Sequence, residues 1–209
     1  MHRIQVALIV TALFFSANTI AQVGLNERIL DANLADIKGL QSTLSIGAKL
    51  AEAIDRGRPY LDAQQLDAVL SKFLTVEERR DFYGHMFRQI DLNQASRSVI
   101  MLIPNMSERM AHEFEEYRPY TSLDQFRREI GKYVNEEEVA RLEQYVFIPL
   151  NLNAASKTEL MTIPGMTSRM VHEFEEYRPY VSYDQFRREI GKYVDDEELS
   201  RLESYVTLD

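Results

Sequence analysis

The sequence predicts an all-α protein built from three tandem four-helix units with a period of 60 residues. Three observations carry that prediction. Met110-Ala-His-Glu-Phe-Glu-Glu-Tyr-Arg-Pro-Tyr120 returns almost unchanged as Met170 to Tyr180, and about 38 of the 55 positions from Leu92 to Val146 match their partners one period on. Helix-capping pairs recur at the same offset in every copy. Beyond the N-terminal leader, nothing reads as a strand.

The leader comes first. Met1-His2-Arg3 is a short positive start, and an apolar run from Ile4 to Phe15 follows, ending in the small-x-small pattern Thr19-Ile20-Ala21. This reads as a secretory signal peptide over residues 1–21, cleaved near Ala21. The run is shorter than the ~20 apolar residues that span a bilayer. The reading therefore implies an exported protein, periplasmic or extracellular, with no stable membrane insertion after cleavage. The alternative is an uncleaved N-terminal membrane anchor.

The rest divides into units at 22–89, 90–149 and 150–209. In the first, Arg58-Pro59-Tyr60 lies one period before Arg118-Pro119-Tyr120, and Asn33 one period before Asn93. The first helix of a unit starts near Ser96 or Ser156, where Ser156-x-x-Glu159 has the form of a capping box, and runs towards Pro104 or Pro164. The second carries Met110, Phe114 and Tyr117 at helical spacing and closes at Pro119. The third opens with Asp62-x-x-Gln65, Ser122-x-x-Gln125 or Ser182-x-x-Gln185, and buries Leu123, Phe126 and Ile130. The fourth opens with Thr75-x-x-Glu78, Asn135-x-x-Glu138 or Asp195-x-x-Glu198, and buries Val139, Leu142 and Val146. The joints Gln89–Asn93 and Ile148–Asn153 are short and partly apolar, which favours units packed against one another.

Composition narrows the chemistry. An apolar content of 45% belongs to a folded chain. The absence of cysteine excludes disulfides, thiolate metal sites and cysteine nucleophiles. The formal net charge of −9 counts against a surface coated by nucleic acid. The charge is uneven, however. The first unit carries 9 basic and 10 acidic residues, the second 7 and 11, and the third is at least as acidic as the second.

Leu160-x-x-Ile163-Pro-Gly-Met-Thr167-x-Arg169 resembles the helix-hairpin-helix motif, hxxhPGhGx[KR]xA. With Leu152-Asn-Ala-Ala-Ser156 before it, Glu176-Tyr-Arg178 after it and a second helical pair beyond, the frame looks like the paired helix-hairpin-helix domain of the competence DNA receptor family, ComEA. The resemblance covers nearly the whole chain after the leader. It is plainest in the last two units and worn in the first. It implies a phosphate grip: a glycine-rich turn leading into a helix presents N–H groups and the positive helix end, and a nearby cation adds a charge-assisted contact. Such contacts hold the backbone and carry no sequence information.

The hairpin glycine positions are Ser45 and Gly47 in the first unit, Asn105 and Ser107 in the second, Gly165 and Thr167 in the third. If both positions need φ > 0, Asn105 preserves the turn, while Ser107 and Thr167 fit less well. The basic residue survives in every unit, as Lys49, Arg109 and Arg169. With the intervening Ile46, Met106 and Met166, these residues are the candidate DNA phosphate contacts. A degenerate second hairpin between helices three and four adds Lys72, Lys132 and Lys192. Glu113, Glu115 and Glu116 would repel phosphate if they faced it, so the first unit is electrostatically the better DNA candidate.

Plainer roles fit the other conspicuous residues. His112 and His172 read as surface or interhelix residues rather than metal ligands, since Glu52 replaces them in the first unit. Arg118 and Arg178 read as helix-end charge pairs. The chain holds no nucleotide-binding loop, no Ser-His-Asp set and no clustered metal ligands. The expectation is therefore a non-enzymatic protein with no catalytic residues, cofactor, metal or small-molecule substrate. Its partner is either double-stranded DNA or, alternatively, a protein docked on an acidic scaffold.

Overall fold

Side-chain caps fix where the helices begin. The computed structural model describes residues 29–36, 41 and 46–208. The leader, Ser45 and most of the stretch expected to form the first unit's first helix lie outside the described residues. Within them the protein is mainly helical. The first unit holds α1 (Ala48–Arg56), α2 (Ala63–Leu70) and α3 (Val76–Tyr83). The second holds α4 (Arg97–Ile100), α5 (Glu108–Glu116), α6 (Leu123–Ile130) and α7 (Glu136–Glu143). The third repeats this as α8 (Lys157–Leu160), α9 (Ser168–Glu176), α10 (Tyr183–Ile190) and α11 (Asp196–Glu203).

The caps fall where the sequence puts them. Asp62, Ser122 and Ser182 accept the N–H of Gln65, Gln125 and Gln185. Thr75 with Glu78 and Ser156 with Glu159 form reciprocal capping boxes. The first helices of the second and third units, α4 and α8, are shorter than expected, a single turn each. After Ile100 the chain tightens into i→i−3 bonds, Leu102 N–H to Val99 and Ile103 N–H to Ile100, before it reaches Pro104.

Among the described residues, six two-residue strands correct the expectation of a chain without β structure. Leu30–Asp31 (β1) pairs in parallel with Met86–Phe87 (β2), Ile90–Asp91 (β3) with Val146–Phe147 (β4), and Leu150–Asn151 (β5) with Val206–Thr207 (β6). Each pair ties the beginning of a unit to its end.

A second brace repeats beside the strands. Arg118 donates from Nε to the Leu92 carbonyl and from Nη2 to the Ala95 carbonyl, both at 2.7 Å. Arg178 does the same to Leu152 and Ala155, and Arg58 to Ala32 and Ala35. Asn93 donates to the Tyr120 carbonyl and accepts the Tyr120 N–H. Arg118 and Arg178 are thus carbonyl clamps rather than helix-end charge pairs, because the turn after β3 or β5 offers each guanidinium two converging acceptors.

Apolar helix faces close over these braces. Phe114 of α5 meets Phe126 of α6 edge to face at 5.3 Å, and Phe174 meets Phe186 at 5.2 Å. Burying each such ring contributes about 1.5–3 kcal/mol. The first two units share one continuous core, joined where Phe87 packs on Tyr145 at 5.1 Å.

The third unit joins through Arg88, which is fully buried. Arg88 donates to the Tyr60 carbonyl at 2.9 Å, the Gln89 carbonyl at 3.0 Å, the Tyr205 hydroxyl at 2.6 Å and the Ser204 hydroxyl at 2.8 Å. Its guanidinium also lies over the rings of Tyr205 at 4.3 Å and Phe147 at 5.2 Å. One side chain therefore touches all three units. No helix among the described residues is long and apolar enough to cross a membrane.

Candidate functional site

The hairpin turn of the second unit runs from Ile103 to Ser107. The Met106 N–H returns to the Ile103 carbonyl at 3.1 Å, and the next residue begins the approach to α5. Closing that turn puts Asn105 at φ +59°, and Gly165 takes the same role at φ +75°. Asparagine tolerates this region better than other side chains, as the sequence implies. Ser107 and Thr167 correct the second half of the expectation. Their φ values are −100° and −113°, in extended backbone, and each caps its helix by accepting the N–H of Met110 or Met170. A β-region N-cap suits serine and threonine better than glycine, so these substitutions preserve the helix start. Gly47 occupies the equivalent N-cap of α1 at φ −67° without a side-chain cap.

Ile46, Met106 and Met166 turn inward. Met166 is buried in the third unit's core, and Ile46 and Met106 pack on the shared core. The Met106 and Met166 N–H groups are both used inside the turn. The donors left for an anion are the N–H groups of the first two residues of α1, α5 and α9, which have no intrahelical acceptor, since the third N–H is taken by Gly47, Ser107 or Thr167.

The cations stand at those helix starts. Lys49, Arg109 and Arg169 are each the second residue of their helix and exposed. None forms an ion pair among the described residues. Arg109 lies over the Tyr133 ring at 5.6 Å, and Arg169 over Tyr193 at 5.9 Å. Lys132 and Lys192 reach the same place from the other hairpin. Lys132 lies over Tyr117 and Lys192 over Tyr177, both at 4.9 Å. The tyrosines join the two halves, since the hydroxyls of Tyr117 and Tyr133 are 2.8 Å apart and those of Tyr177 and Tyr193 are 2.9 Å apart. In the second and third units the two predicted sets of cations therefore converge on one aromatic pair. The first unit has Gly57 and Phe73 at these positions, and its Lys49 and Lys72 are exposed without such a support.

The surrounding acids are largely occupied. Lys132 is bound by Glu129 and Lys192 by Glu189, which raises both ammonium pKa values and lowers those of the carboxylates. Arg128 and Arg188 hold the same two glutamates. Glu115 is hydrogen-bonded by Arg97, which holds its carboxyl below the usual range. Glu113 is buried against Tyr133 and, after the bond from Tyr117, pushes that phenol pKa upward. Of Glu113, Glu115 and Glu116, Glu116 alone is exposed, beside His112 at 3.9 Å and with no Arg or Lys partner among the described residues. His172 likewise lies 3.4 Å from Glu176.

The third hairpin differs from the second in its neighbours. Arg201 donates to the Pro164 carbonyl at 2.6 Å, and a Cβ on Gly165 would come within 3.1 Å of Leu34 from the first unit. That turn helps to join the first and third units. A cleft of about 750 Å³ opens between the second and third units, lined by Asn93, Tyr120, Leu123, Leu150 and Thr162. None of the predicted residues borders it. No three His, Asp or Glu side chains gather as a metal set among the described residues.

Sequence reasoning passed over the tyrosine pairs and Arg88. The members of each pair lie sixteen residues apart, one just after the second helix of its unit and one in the turn between the third and fourth, beyond any helical period. Arg88 did leave a signal, because its partners one and two periods on are Ile148 and Leu208. Comparison with protein-family models, curated proteins and solved structures finds no match to this chain.

Proposed function

We propose that the chain is a non-enzymatic, exported protein that holds double-stranded DNA by its phosphate backbone, through tandem paired helix-hairpin-helix units resembling those of the ComEA family. One observation carries the reading. At the start of α1, α5 and α9, an exposed cation that forms no ion pair among the described residues stands beside N–H groups that have no intrahelical acceptor. Helix dipole, open donors and a positive side chain together favour an anion. Of the acids that would oppose it, Glu113 is buried and Glu115, Glu129 and Glu189 are bound to arginine or lysine, while Glu116 stays exposed beside His112. Contacts of this kind position a duplex without reading its sequence. Mobility-shift titration of the chain from Gln22 onward tests the proposal. Retardation of unrelated duplexes with equal affinity is expected, together with its loss in the Lys49→Glu, Arg109→Glu, Arg169→Glu variant. Absence of retardation at low salt would end it.

A second reading is favoured by the ion pairs of Lys132 and Lys192 with Glu129 and Glu189 and by the net charge of −9. In it the chain is an acidic scaffold for a basic protein partner and binds no DNA. Crosslinking in the native compartment should then recover one specific protein. Recovery of DNA alone would count against it.

A further inference from the structure

The cation–tyrosine clusters of the second and third units have no counterpart in the first. Each holds the same four residues: Arg109, Lys132, Tyr117 and Tyr133 in one, Arg169, Lys192, Tyr177 and Tyr193 in the other. The two rings of a pair have centroids 6.4 Å apart and are inclined at 49° or 47°. One ring faces the hairpin arginine and the other faces the second-hairpin lysine. The hydrogen bond between the two phenol oxygens fixes the rings to each other.

An exposed arginine ordinarily samples many rotamers, and ordering it on binding costs affinity. A ring face that attracts the guanidinium removes part of that cost before the ligand arrives. We propose that Tyr133 and Tyr193, each braced by Tyr117 or Tyr177, are positioning residues that hold Arg109 and Arg169 at the helix starts for the DNA phosphate backbone. The second and third units are then the principal grips, although the first is nearest to neutral. Among the described residues no ring lies beneath Lys49, which contributes charge without placement. This inference rests on the DNA reading proposed above.

Three double variants test it, with two readouts. Tyr133→Leu with Tyr193→Leu removes both ring faces from half-buried positions outside the packed core. Duplex affinity should fall about 5- to 30-fold, the effect of losing two exposed cation–π supports. Tyr133→Phe with Tyr193→Phe keeps the faces and should restore affinity to within about twofold of the parent. Arg109→Glu with Arg169→Glu should abolish binding. NMR relaxation of the arginine Nε–H groups in the free protein supplies the readout that needs no DNA. Arg109 and Arg169 should be ordered in the parent and the Phe variant and mobile in the Leu variant.

If the charge reversal abolishes binding while the Leu variant binds like the parent, the positioning role is wrong and the DNA reading stands. If the parent itself shows no duplex binding at low salt, the DNA reading falls; if the parent binds and the charge reversal leaves affinity unchanged, Arg109 and Arg169 are not the grip and the inference falls. Guanidinium order unchanged in the Leu variant overturns the inference whatever happens with DNA.

Discussion

Arg88→Ala is predicted to destabilise the protein by about 3–5 kcal/mol, the usual effect of breaking a buried, bonded charge network. The side chain is fully buried and donates to three backbone carbonyls, of Tyr60, Leu61 and Gln89, and two hydroxyls, drawn from the first and third units. Truncation removes the donor of the Gln89 carbonyl, at about 1–3 kcal/mol for a buried polar group left unmet, while Asn33 still donates to the Tyr60 carbonyl at 3.0 Å. It also opens a cavity beneath Phe147 and Tyr205, whose rings lose the guanidinium. Relief from burying the charge returns part of this, which keeps the expected loss below the simple sum. For a chain of this size each kcal/mol lowers the melting temperature by about 2–4 °C, so a fall of about 6–20 °C is expected. Thermal and urea unfolding followed by circular dichroism measure it, with Arg88→Lys expected to fall between parent and Ala. A loss under about 1 kcal/mol, the range of ordinary surface changes, would refute the view that this side chain joins the three units.

Three further outcomes follow from local geometry. Asn105→Val, at φ +59°, should cost about 1–3 kcal/mol in urea unfolding, whereas Asn105→Gly should be neutral or stabilising. Ser107→Ala and Thr167→Ala each remove an N-cap and should cost about 1 kcal/mol apiece by the same assay. Alkali should weaken the fold, because burial raises the Tyr60 pKa from 10.0 to about 12. The associated stability is complete below about pH 10 and declines towards about pH 12, as the unfolded chain ionises before the folded one. Tyr83, Tyr120, Tyr180 and Tyr205 are shifted upward by burial as well and act in the same sense. Chemical unfolding across that pH interval, with tyrosinate absorbance as the second signal, checks the direction.

Much of the helical architecture was legible because its determinants are local. A cap such as Asn135 with Glu138 lies within one turn, so residue type and spacing suffice to place it. The strands were not legible, because two residues carry no periodicity and their partners lie 56 residues away, as Ile90 does from Val146. Within the hairpin, the positive φ at Asn105 followed from its chemistry. Ser107 was misjudged because a motif position was taken for a backbone conformation, when a helix start needs an oxygen rather than a glycine. Charge counting favoured the first unit. It could not register that Glu113 is buried and Glu115 already bonded, which is a tertiary property. The convergence of Arg109 and Lys132 on one tyrosine pair is tertiary too.

The most direct test of the proposed grip is the salt dependence of duplex binding by the chain from Gln22 onward. Three hairpin cations that displace counterions predict a log–log slope near −2.7, and replacing Arg109 or Arg169 by alanine should reduce its magnitude by about 0.9 each. Steep salt sensitivity that diminishes stepwise with these two residues is the predicted result. No binding at low salt, or a slope untouched by either replacement, would contradict the account.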